Sequence, residues 1–348
     1  MAKVLITSDL HIHPHRGDSR RVDDGVECLK WIYETARIAG LHTVIIAGDF
    51  LHHRFSLPAM AFAKAFGVAK SAHDDGINTI FMLGNHDMLY EDDWSLHSLA
   101  GVYNWATVIN APTKMMVEGY DVDFLPYTPQ PSKYINSPPF DKPARTLISH
   151  LAIANAILNS KYNILSVEDD SKEKEHIEAE KLHKWEKVWL GHYHYGQKVT
   201  EQVEYIGSPM QLTFGEAGQT KHVAIYDLAT LETKYVDNKI SPQFHIVEDA
   251  AQVDQLDMSN AYVQMLSSEV IEAKFDLRKK LAKLGAREIE FVPTKQDVTA
   301  TTTQALDNIS KLFHDKDRLV DGYVDGVEVP THLNKDLLKQ IGREIMHS

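Results

Sequence analysis

An apolar segment in the second half of the chain runs directly into a pair of histidines, in the order Val188-Trp189-Leu190-Gly191-His192-Tyr193-His194. Residues two positions apart on an extended backbone point to the same side. The imidazoles of His192 and His194 could therefore hold a metal ion or a phosphate at the end of a strand. What this pair means depends on whether other strands end in similar residues.

The N-terminal quarter of the chain alternates apolar, β-branched runs with amphipathic stretches. Strands are predicted over residues 3–8, 42–47 and 78–83, and helices over residues 23–39 and 57–75. This β-α-β-α-β pattern with short connections is typical of an α/β sheet that carries helices on its faces. In such sheets, ligands bind at the carboxyl ends of the strands.

Polar side chains follow the predicted strands at those ends. They are Asp9, His11, Asp49, Asn85, His86, His150, His192 and His194. Carboxylate and amide oxygens mixed with imidazole suit Mn²⁺, Fe²⁺ or Zn²⁺. This set exceeds what one ion needs, and two ions about 3.5–4 Å apart form the usual clamp for phosphoester hydrolysis. The sequence therefore predicts a dinuclear metal site, although an Asp-x-His motif alone is more often a turn.

Length and charge limit the alternatives. The chain has 348 residues, so two domains are expected. A net charge of −13 gives no general attraction to nucleic acid. Binding to DNA would then require bound metal ions, a partner or local basic residues. The cluster of Arg16, Arg20 and Arg21 could contact phosphates or could lie in a solvated loop.

Cysteine usage and hydropathy indicate the compartment. Cys28 is the only cysteine, which excludes an intrachain disulfide and fits a reducing cytoplasm. A catalytic thiol is the weaker alternative, because no nucleophile motif surrounds Cys28. The sequence has no apolar run of roughly 20 residues and no signal peptide at its N-terminus. We therefore expect a cytoplasmic protein without a membrane segment.

The rest of the chain divides into shorter segments. Further strands are predicted over residues 107–110, 114–118, 121–126, 145–149, 187–190, 198–206, 222–227 and 232–236, the last three antiparallel. The charged residues 166–187 indicate an exposed loop and helix, and residues 239–254 a linker. Residues 261–292 have a β-α-β pattern, and residues 303–313 and 333–346 are predicted helices.

The order of the motifs resembles the signature of the calcineurin-like metallophosphoesterase superfamily. The matching motifs are Asp9-x-His11, Gly48-Asp49, Gly84-Asn85-His86-Asp87, His150 and Gly191-His192-Tyr193-His194. Two further segments resemble SbcD-type exonucleases. Residues 205–216 resemble their Gly-Ser-Pro segment, and Gly48-Asp49-Phe50-Leu51-His52 resembles their Gly-Asp-x-x-His. The resemblance implies an α/β fold, a four-layer α/β/β/α sandwich with a small β-α-β capping domain and C-terminal helices.

The resemblance also implies a division of labour along the chain. Residues 1–245 would form the nuclease domain, residues 255–295 the capping domain, and residues 303–348 the helices that bind an ATPase partner. That partner would be an SbcC/Rad-type, SMC-like coiled-coil ATPase, and the nuclease subunit would form a homodimer on DNA. The length of the chain is closer to phage-encoded members than to cellular ones.

Roles for single residues follow from the same resemblance. One metal ion would be held by Asp9, His11, Asp49 and His194, and the other by Asp49, Asn85, His150 and His192, with Asp49 as the bridge. His86 would act beside the scissile phosphate as proton donor or transition-state stabiliser, and His52 would help to place the DNA strand. Mn²⁺ is the usual metal of this family, and Mg²⁺, Fe²⁺ or Zn²⁺ also fit.

Three functions stay open at this point. The first is a Mn²⁺-dependent DNA exonuclease or endonuclease that works with a coiled-coil ATPase. The second is a metallophosphoesterase that acts on small nucleotides or phosphoproteins, and the third is a non-catalytic scaffold. The Gly-Ser-Pro segment favours the first, and the intact ligand set argues against the third. His13, His15 and His53 lie outside the signature and could line a loop or touch the metals.

Overall fold

The protein is described by a computed structural model over residues 2–91, 93–159, 162–163, 176–266, 271–292 and 335–347. The chain forms two compact units. The first is Met1–Ile246 with Asp257–Val263 and Gly285–Glu288, and the second is Val247–Leu256, Gln264–Leu284 and Ile289–Ser348. The predicted boundaries 1–245, 255–295 and 303–348 stay a prediction, because residues 293–334 lie outside the described ranges.

The described elements follow one another as short strands with few long helices. The strands are β1 (Lys3–Thr7), β2 (Thr43–Ala47), β3 (Asn78–Met82), β4 (Met88–Tyr90), β5 (Asp93–His97), β6 (Thr107–Ile109), β7 (Thr113–Val117), β8 (Tyr120–Leu125), β9 (Thr146–His150), β10 (Ile157–Asn159), β11 (Tyr162–Asn163), β12 (Lys187–Gly191), β13 (Gln197–Lys198), β14 (Val203–Tyr205), β15 (His222–Asp227), β16 (Thr233–Asp237), β17 (Phe244–Val247), β18 (Tyr262–Leu266) and β19 (Glu288–Val292). The helices are α1 (Ser19–Ile38), α2 (Ala59–Asp74), α3 (Ser132–Ile135), α4 (Ile271–Lys283) and α5 (Lys335–His347).

The first six-stranded sheet contains the strands predicted at the N-terminus. Its order is β16-β15-β1-β2-β3-β6. β1, β2, β3 and β6 are parallel neighbours, with Ile6 opposite Ile45 and Ile46 opposite Phe81. β15 and β16 extend the sheet in antiparallel pairs beyond β1. The carboxyl ends of β1, β2 and β3 therefore lie side by side, as the β-α-β-α-β pattern predicts.

The second six-stranded sheet has the order β13-β14-β12-β9-β8-β7. Its four central strands are parallel, and β13 and β7 pair antiparallel at the two edges. The prediction of one antiparallel strand over residues 198–206 was wrong. Thr200 Oγ1 accepts a hydrogen bond from Val203 N at 3.0 Å and closes a turn. The chain then returns as β14, which runs parallel to β12.

Three apolar layers hold the first unit together, because alternate residues of each buried strand point to opposite faces. Representative members are Leu29, Phe66 and Phe81 between the helices and the first sheet, Ile6, Phe124 and Trp189 between the two sheets, and Leu182, Trp185 and Leu190 outside the second sheet. Helices α1 and α2 cover one side, while the short helix α3 and a 3₁₀ turn at Ala179–Leu182 lie on the other. The α/β/β/α class predicted from the motifs is confirmed.

Part of the stretch predicted to be exposed is instead core. Residues 166–175 lie outside the described ranges. Beyond them, however, Ile177, Leu182 and Trp185 are fully buried. The density of Glu and Lys concealed these apolar residues, because three apolar side chains are too few to stand out in a charged stretch. The interpretation of residues 166–187 as a solvated segment was therefore wrong for its second half.

Local details also differ from the pattern. Helix α1 begins at Ser19 and not at residue 23, because the Asp18 side chain accepts a hydrogen bond from Arg20 N at 2.9 Å and caps it. The predicted linker contains β17, which joins β18 and β19 in a three-stranded sheet of order β17-β18-β19. Helix α5 agrees with the predicted C-terminal helix, and the predicted helix over residues 303–313 lies outside the described ranges. In the described residues, no helix is both long and apolar enough to cross a membrane.

Two buried tryptophans give a matched test of the core. Trp185 Nε1 donates a hydrogen bond to Asp123 Oδ2 at 2.7 Å, whereas Trp189 Nε1 is buried without a partner among the described residues. Both side chains are fully buried. We expect Trp185→Phe to lower the free energy of unfolding by about 1 kcal/mol more than Trp189→Phe, because only the first change breaks a hydrogen bond. Urea unfolding measures both, and equal losses would contradict the assignment.

Candidate metal centre

The candidate centre lies where strand ends of both sheets meet. The carbonyl oxygen of Ala47, at the end of β2, accepts hydrogen bonds from Ser8 Oγ at 2.9 Å and from His150 Nδ1 at 2.8 Å. Ser8 follows β1 in the first sheet, and His150 ends β9 in the second. Asp9 N donates to Gly48 O at 3.0 Å. Hydrogen bonds to the backbone oxygens of Ala47 and Gly48 therefore fix the spacing between these strand ends.

Two glycines of the motifs are required by this close approach. Gly48 has φ +100°, and a Cβ atom there would collide with the imidazole of His150. A Cβ atom on Gly191 would collide with Ser8 Oγ and with the carbonyl of Ala47. The Gly in Gly-Asp and the Gly in Gly-His-Tyr-His thus allow the two sheets to approach each other.

Backbone strain is concentrated at the predicted ligands. Among the described residues, eight non-glycine positions have positive φ, and four of them are predicted ligands: Asp9 at 54°, His11 at 45°, Asp49 at 52° and His192 at 101°. Such a conformation costs about 1–3 kcal/mol per residue and persists only where the surroundings enforce it. The strain turns these side chains towards a common point.

The carboxylate of Asp49 lies between two histidines. Its Oδ2 atom is 3.4 Å from His11 Nε2 and 3.4 Å from His150 Nε2. Its Oδ1 atom accepts a hydrogen bond from His86 N at 2.7 Å. The hydrogen bond from His86 N fixes the plane of the carboxylate, and Oδ2 is left equidistant from the two imidazoles. A carboxylate placed in this way can bridge two cations.

One group of donor atoms forms on the side of His150. Asn85 Oδ1 is 3.2 Å from His150 Nε2 and 2.9 Å from His192 Nδ1. Because His150 Nδ1 donates a hydrogen bond to the carbonyl oxygen of Ala47, the Nε2 atom presents a lone pair in the neutral ring. Together with Asp49, these residues are the four predicted to hold one of the two metal ions.

A second group forms on the side of His11. His11 Nε2 is 3.1 Å from His194 Nε2, and 4.0 Å from Asp9 Oδ1. The possible ligand atoms of Asp9, His11 and His194 all lie within 4.8 Å of one another, as do those of Asp9, Asp49 and His150. The structure therefore brings together all seven residues predicted as metal ligands.

The electrostatics of the group favour a cation. Burial raises the pKa of Asp9. Burial acts in the same direction on Asp49, but the nearby His150 and His11 outweigh it and hold the pKa of Asp49 well below its usual range. Burial lowers the pKa of His150, but Asp49 and Asp9 outweigh it and raise that pKa to about 9. A positive charge is stable at this point, and a divalent cation would compete with the proton for it.

The donor set fits divalent transition-metal ions. Two carboxylates, one amide and four imidazoles converge, and all are buried or half-buried. Mixed oxygen and imidazole ligands suit Mn²⁺, Fe²⁺ and Zn²⁺ better than they suit soft ions. Two carboxylates also leave the positive charge of two divalent ions only partly neutralised, which suits an anionic substrate.

The structure places His86 and His52 beside this group. His86 Nδ1 donates a hydrogen bond to His52 O at 2.6 Å, so its Nε2 is the atom that can exchange a proton with a ligand. His52 Nδ1 faces His11 Nδ1 at 3.0 Å, and its ring stacks on that of His86 with centroids 4.9 Å apart. His52 thus fixes the positions of His11, a predicted ligand, and of His86, a role that the sequence did not reveal.

Asp87 is a further residue that the sequence analysis left without a role. Its carboxylate accepts hydrogen bonds from Gly84 N at 3.0 Å, Asp49 N at 2.8 Å and Phe50 N at 3.2 Å. Burial and the charge of Asp49 raise the pKa of Asp87 to about 7. Asp87 therefore joins the loops after β2 and β3 and fixes the strained backbone of Asp49. The signal was its place as the last residue of Gly-Asn-His-Asp.

Glu216 was also missed, although it ends the Gly-Ser-Pro segment. Its Oε1 atom is 3.1 Å from His194 Nδ1, and its Oε2 atom is 2.7 Å from Lys221 Nζ and 3.1 Å from Ser208 Oγ. Burial raises the pKa of Glu216, but His194 and Lys221 lower it to about 2. A carboxylate that accepts a hydrogen bond from Nδ1–H fixes the tautomer of His194 with the Nε2 lone pair facing the centre.

The predicted basic cluster is divided by the structure. Arg21 is buried, and its guanidinium donates to Leu212 O at 2.9 Å, so a role in phosphate contact is wrong for this residue. Arg20 is exposed and pairs with Asp18 at 2.7 Å. The side chain of Arg16 lies outside those described.

Four histidines form a second group beside the candidate centre. We call His13, His15, His52 and His53 the outer histidine cluster. Burial lowers the pKa of His13 to about 4 and that of His15 to about 3. Both rings are therefore neutral at pH 7 and keep an unprotonated nitrogen.

The only cysteine is excluded as a nucleophile. Cys28 is buried in the layer between helix α1 and the first sheet. Burial raises the pKa of its thiol to about 12. The reactive thiolate is therefore not populated at neutral pH.

Comparison with known proteins identifies the family. Residues 2–209 match the family model described as calcineurin-like phosphoesterase, and the chain belongs to this family. It is thus a phosphoesterase-family protein, and the resemblance drawn from the motifs is confirmed.

Individual relatives are distant. The chain is 22% identical over 272 residues to "Exonuclease subunit 1" of Enterobacteria phage T4. The aligned region covers 77% of this chain and 77% of that protein. Among solved structures, a dimetal phosphatase from Danio rerio has a TM-score of 0.40 at 10% identity, covering 64% of this chain and 92% of that one. Yfce, a phosphoesterase from E. coli, has a TM-score of 0.33 at 13% identity, covering 67% of this chain and 98% of that one.

The role of Glu216 is tested by Glu216→Gln. The folded pKa of about 2 lies below the ordinary 4.5, so the ionised group stabilises the fold above that ordinary value, and the gain is lost as the pH falls towards 2. We expect the variant to lose about 3 kcal/mol of unfolding free energy at pH 7, and the loss to shrink in acid. We also expect its affinity for Mn²⁺ to fall about 10–100-fold.

The matched control for this test is Glu204→Gln. Glu204 is also buried and pairs with Lys187 at 2.6 Å, but it does not contact a predicted ligand. Urea unfolding across pH and titration with Mn²⁺ compare the two variants. Both should be destabilised, and only Glu216→Gln should bind the metal more weakly. Equal metal affinities would show that Glu216 has a structural role alone.

Proposed function

We propose that the protein is a metal-dependent DNA exonuclease or endonuclease, the nuclease subunit of an SbcC–SbcD-like (Mre–Rad) complex that processes DNA ends. The observation that supports this most directly is the position of Asp49 Oδ2, 3.4 Å from His11 Nε2 and 3.4 Å from His150 Nε2. An anionic oxygen between two sets of ligands is what a two-metal phosphodiesterase requires. The relative in phage T4 that bears the name of an exonuclease subunit supports a nucleic acid as the substrate.

Each ion would have its own ligands around this shared oxygen. Asp9, His11 and His194 would hold one ion, and Asn85, His150 and His192 the other, with Asp49 common to both. Bound divalent ions supply positive charge that activates a water and neutralises the phosphate. Mn²⁺ is the metal we propose, because the resemblance to SbcD-type exonucleases implies it, and the mixed oxygen and imidazole donors fit it as they fit Fe²⁺ and Zn²⁺.

His86 is the residue we assign to proton transfer. Its backbone N–H is held by Asp49 and its Nδ1–H by the carbonyl of His52, so the ring has a fixed orientation. With Nδ1 occupied, a protonated Nε2 can donate to the leaving oxygen of a phosphodiester. The stacked ring of His52 keeps this imidazole from turning away.

The acidic chain binds DNA poorly by its general charge, so its contact with a strand would depend on the ions and on a partner. We propose that this partner is an SMC-like coiled-coil ATPase that binds α5. Leu337 and Ile341 lie one turn apart on this helix and are 53% and 45% exposed. An apolar pair on an amphipathic helix suits docking against another helix.

A second copy of the chain is the other proposed partner. Ala61, Ala65 and Ala69 of α2 are buried in the core, so these small residues pack inside the protein. Phe55 and Met60, before and at the start of that helix, are 76% and 36% exposed. This apolar surface would suit a homodimer. We place the complex in the cytoplasm of a bacterium or of a phage-infected host.

A nuclease assay tests the proposed activity. End-labelled linear DNA is incubated with the full chain and Mn²⁺, and p-nitrophenyl phosphate and cyclic nucleotides are tested in parallel. We expect cleavage of DNA that EDTA abolishes, and a loss of about 100-fold or more in His86→Ala, because general acid catalysis contributes about that much. Bound Mn²⁺ should be unchanged in this variant.

The control is His42→Ala. His42 is exposed and directly precedes β2, so it lies at the amino ends of the strands, opposite to the carboxyl ends that hold the candidate centre. This variant should cleave DNA like the unaltered chain. Hydrolysis of the small esters without cleavage of DNA would exclude the nuclease and favour the small-substrate phosphoesterase.

The partner surface is tested by the double substitution Leu337→Glu and Ile341→Glu. We expect pull-down of the candidate coiled-coil ATPase to be lost, because two carboxylates would have to be buried in an apolar contact. DNA cleavage by the nuclease alone should persist. Leu256→Glu, at a leucine that is 38% exposed in the same unit, is the control and should retain the ATPase. Unchanged pull-down by the double variant would show that α5 is not the interface.

A further inference from the structure

Three aromatic side chains lead from the candidate centre to the protein surface. The ring centroid of Tyr127 lies 5.7 Å from that of His192, a predicted ligand. The carbonyl oxygen of Tyr127 accepts a hydrogen bond from Trp94 Nε1 at 2.7 Å. The ring centroid of Trp94 in turn lies 5.0 Å from that of Tyr134. We call Tyr127, Trp94 and Tyr134 the aromatic column.

Exposure increases along the aromatic column from the centre outwards. Tyr127 is buried, whereas Trp94 and Tyr134 are half-buried. Lys133 is exposed, and its Nζ atom lies 5.3 Å from the centroid of the Tyr134 ring. A ligand held at the centre can therefore extend outwards over Trp94 and Tyr134 and meet a positive charge at the outer end.

The polar atom of Trp94 is already used inside the protein. An indole has a single N–H donor, and this one is bonded to the carbonyl oxygen of Tyr127. The part of the Trp94 side chain that stays accessible is therefore its apolar ring. Flat aromatic rings beside a positive charge are what proteins use to bind single-stranded nucleic acid, because every base has a face that can stack.

The acidic side chains beside the aromatic column do not oppose such a ligand. Tyr127 Oη donates a hydrogen bond to Glu91 Oε2 at 3.3 Å, and Glu91 Oε1 is paired with Arg54 Nη2 at 2.8 Å. Asp93 directly precedes Trp94 on β5, and adjacent residues of a strand point to opposite faces. The carboxylate of Glu91 is thus neutralised, and that of Asp93 is directed away from the Trp94 ring.

We propose that Trp94 and Tyr134 stack an unpaired base of the nucleic acid whose phosphate is held at the candidate centre. This role rests on the nuclease function proposed above and narrows its substrate to a single strand or a frayed end, because bases inside a duplex are already stacked on their neighbours. In a chain with a net charge of −13, stacking also supplies affinity that general charge does not.

Two oligonucleotides of equal length and charge test the stacking. One is a single strand of thymidines, and the other has the same phosphates but abasic sugars. Their dissociation constants for the full chain are measured by the anisotropy of an end label, with Ca²⁺ in place of Mn²⁺. We expect the thymidine strand to bind at least about fivefold more tightly than the abasic strand. Trp94→Ala should lose this difference and bind the abasic strand as before.

Three further variants separate stacking from folding. Trp105→Ala is the matched control, since Trp105 is also half-buried but precedes β6, at the amino ends of the strands, and it should keep the preference for thymidine. Trp94→Phe should keep most of that preference, because a phenyl ring still stacks although the hydrogen bond to Tyr127 is lost. Tyr134→Ala should weaken it without touching this hydrogen bond, which guards against misfolding of Trp94→Ala.

Binding and cleavage are measured separately, so the stacking and the nuclease activity can fail independently. A preference for the thymidine strand that Trp94→Ala abolishes supports the stacking even if the chain cleaves no DNA with Mn²⁺. Equal dissociation constants of the unaltered chain for the two oligonucleotides, with or without cleavage of DNA, would overturn it. So would a preference that Trp94→Ala and Tyr134→Ala both retain in full.

Discussion

The carbonyl oxygen of Ala47 accepts one hydrogen bond from each sheet, from Ser8 in the first and from His150 in the second. This backbone atom joins the ends of β1, β2 and β9, from which Asp9, Asp49 and His150 are presented. The acceptor of both hydrogen bonds is a backbone oxygen. Its position does not change with side-chain rotamers, so these contacts vary less than a contact between two long side chains. These three strand ends are thus held at fixed distances, and their donor atoms can converge without a large loss of conformational entropy when an ion binds.

A second layer of polar residues keeps the converging groups in their productive forms. The carboxylate of Asp87 accepts a hydrogen bond from the backbone N–H of Asp49, and the carboxylate of Glu216 accepts one from Nδ1 of His194. Neither residue contacts the point where the donors meet, yet each fixes a charge state or a tautomer there. His52 does the same for His11 and His86 through its ring and its carbonyl. The centre therefore depends on buried hydrogen bonds as much as on the ligands themselves.

Much of the fold and most of the site could be predicted, because short connections fix β1, β2 and β3 as parallel neighbours. Their ends must then meet, so the sequence predicts that Asp9, Asp49 and Asn85 lie close together. The partners of Glu216 could not, since an acidic residue in a loop gives no sign of which histidine it will face. Arg21 was misjudged for a related reason: a charged residue in a polar stretch looks exposed until its long-range acceptor, the carbonyl of Leu212, is seen. Tertiary packing decides such cases, and local pattern does not register it.

The left-handed backbone at Asp9, His11, Asp49 and His192 has a consequence for how such chains change over evolutionary time. Each of these positions would be relieved by glycine, and two of them also bury a carboxylate. A lineage released from its chemistry would therefore gain stability by losing its ligands, and selection for robustness alone would erase the centre first. A relative that kept all four residues in this strained geometry would therefore be kept so by its chemistry, because stability alone would not preserve them.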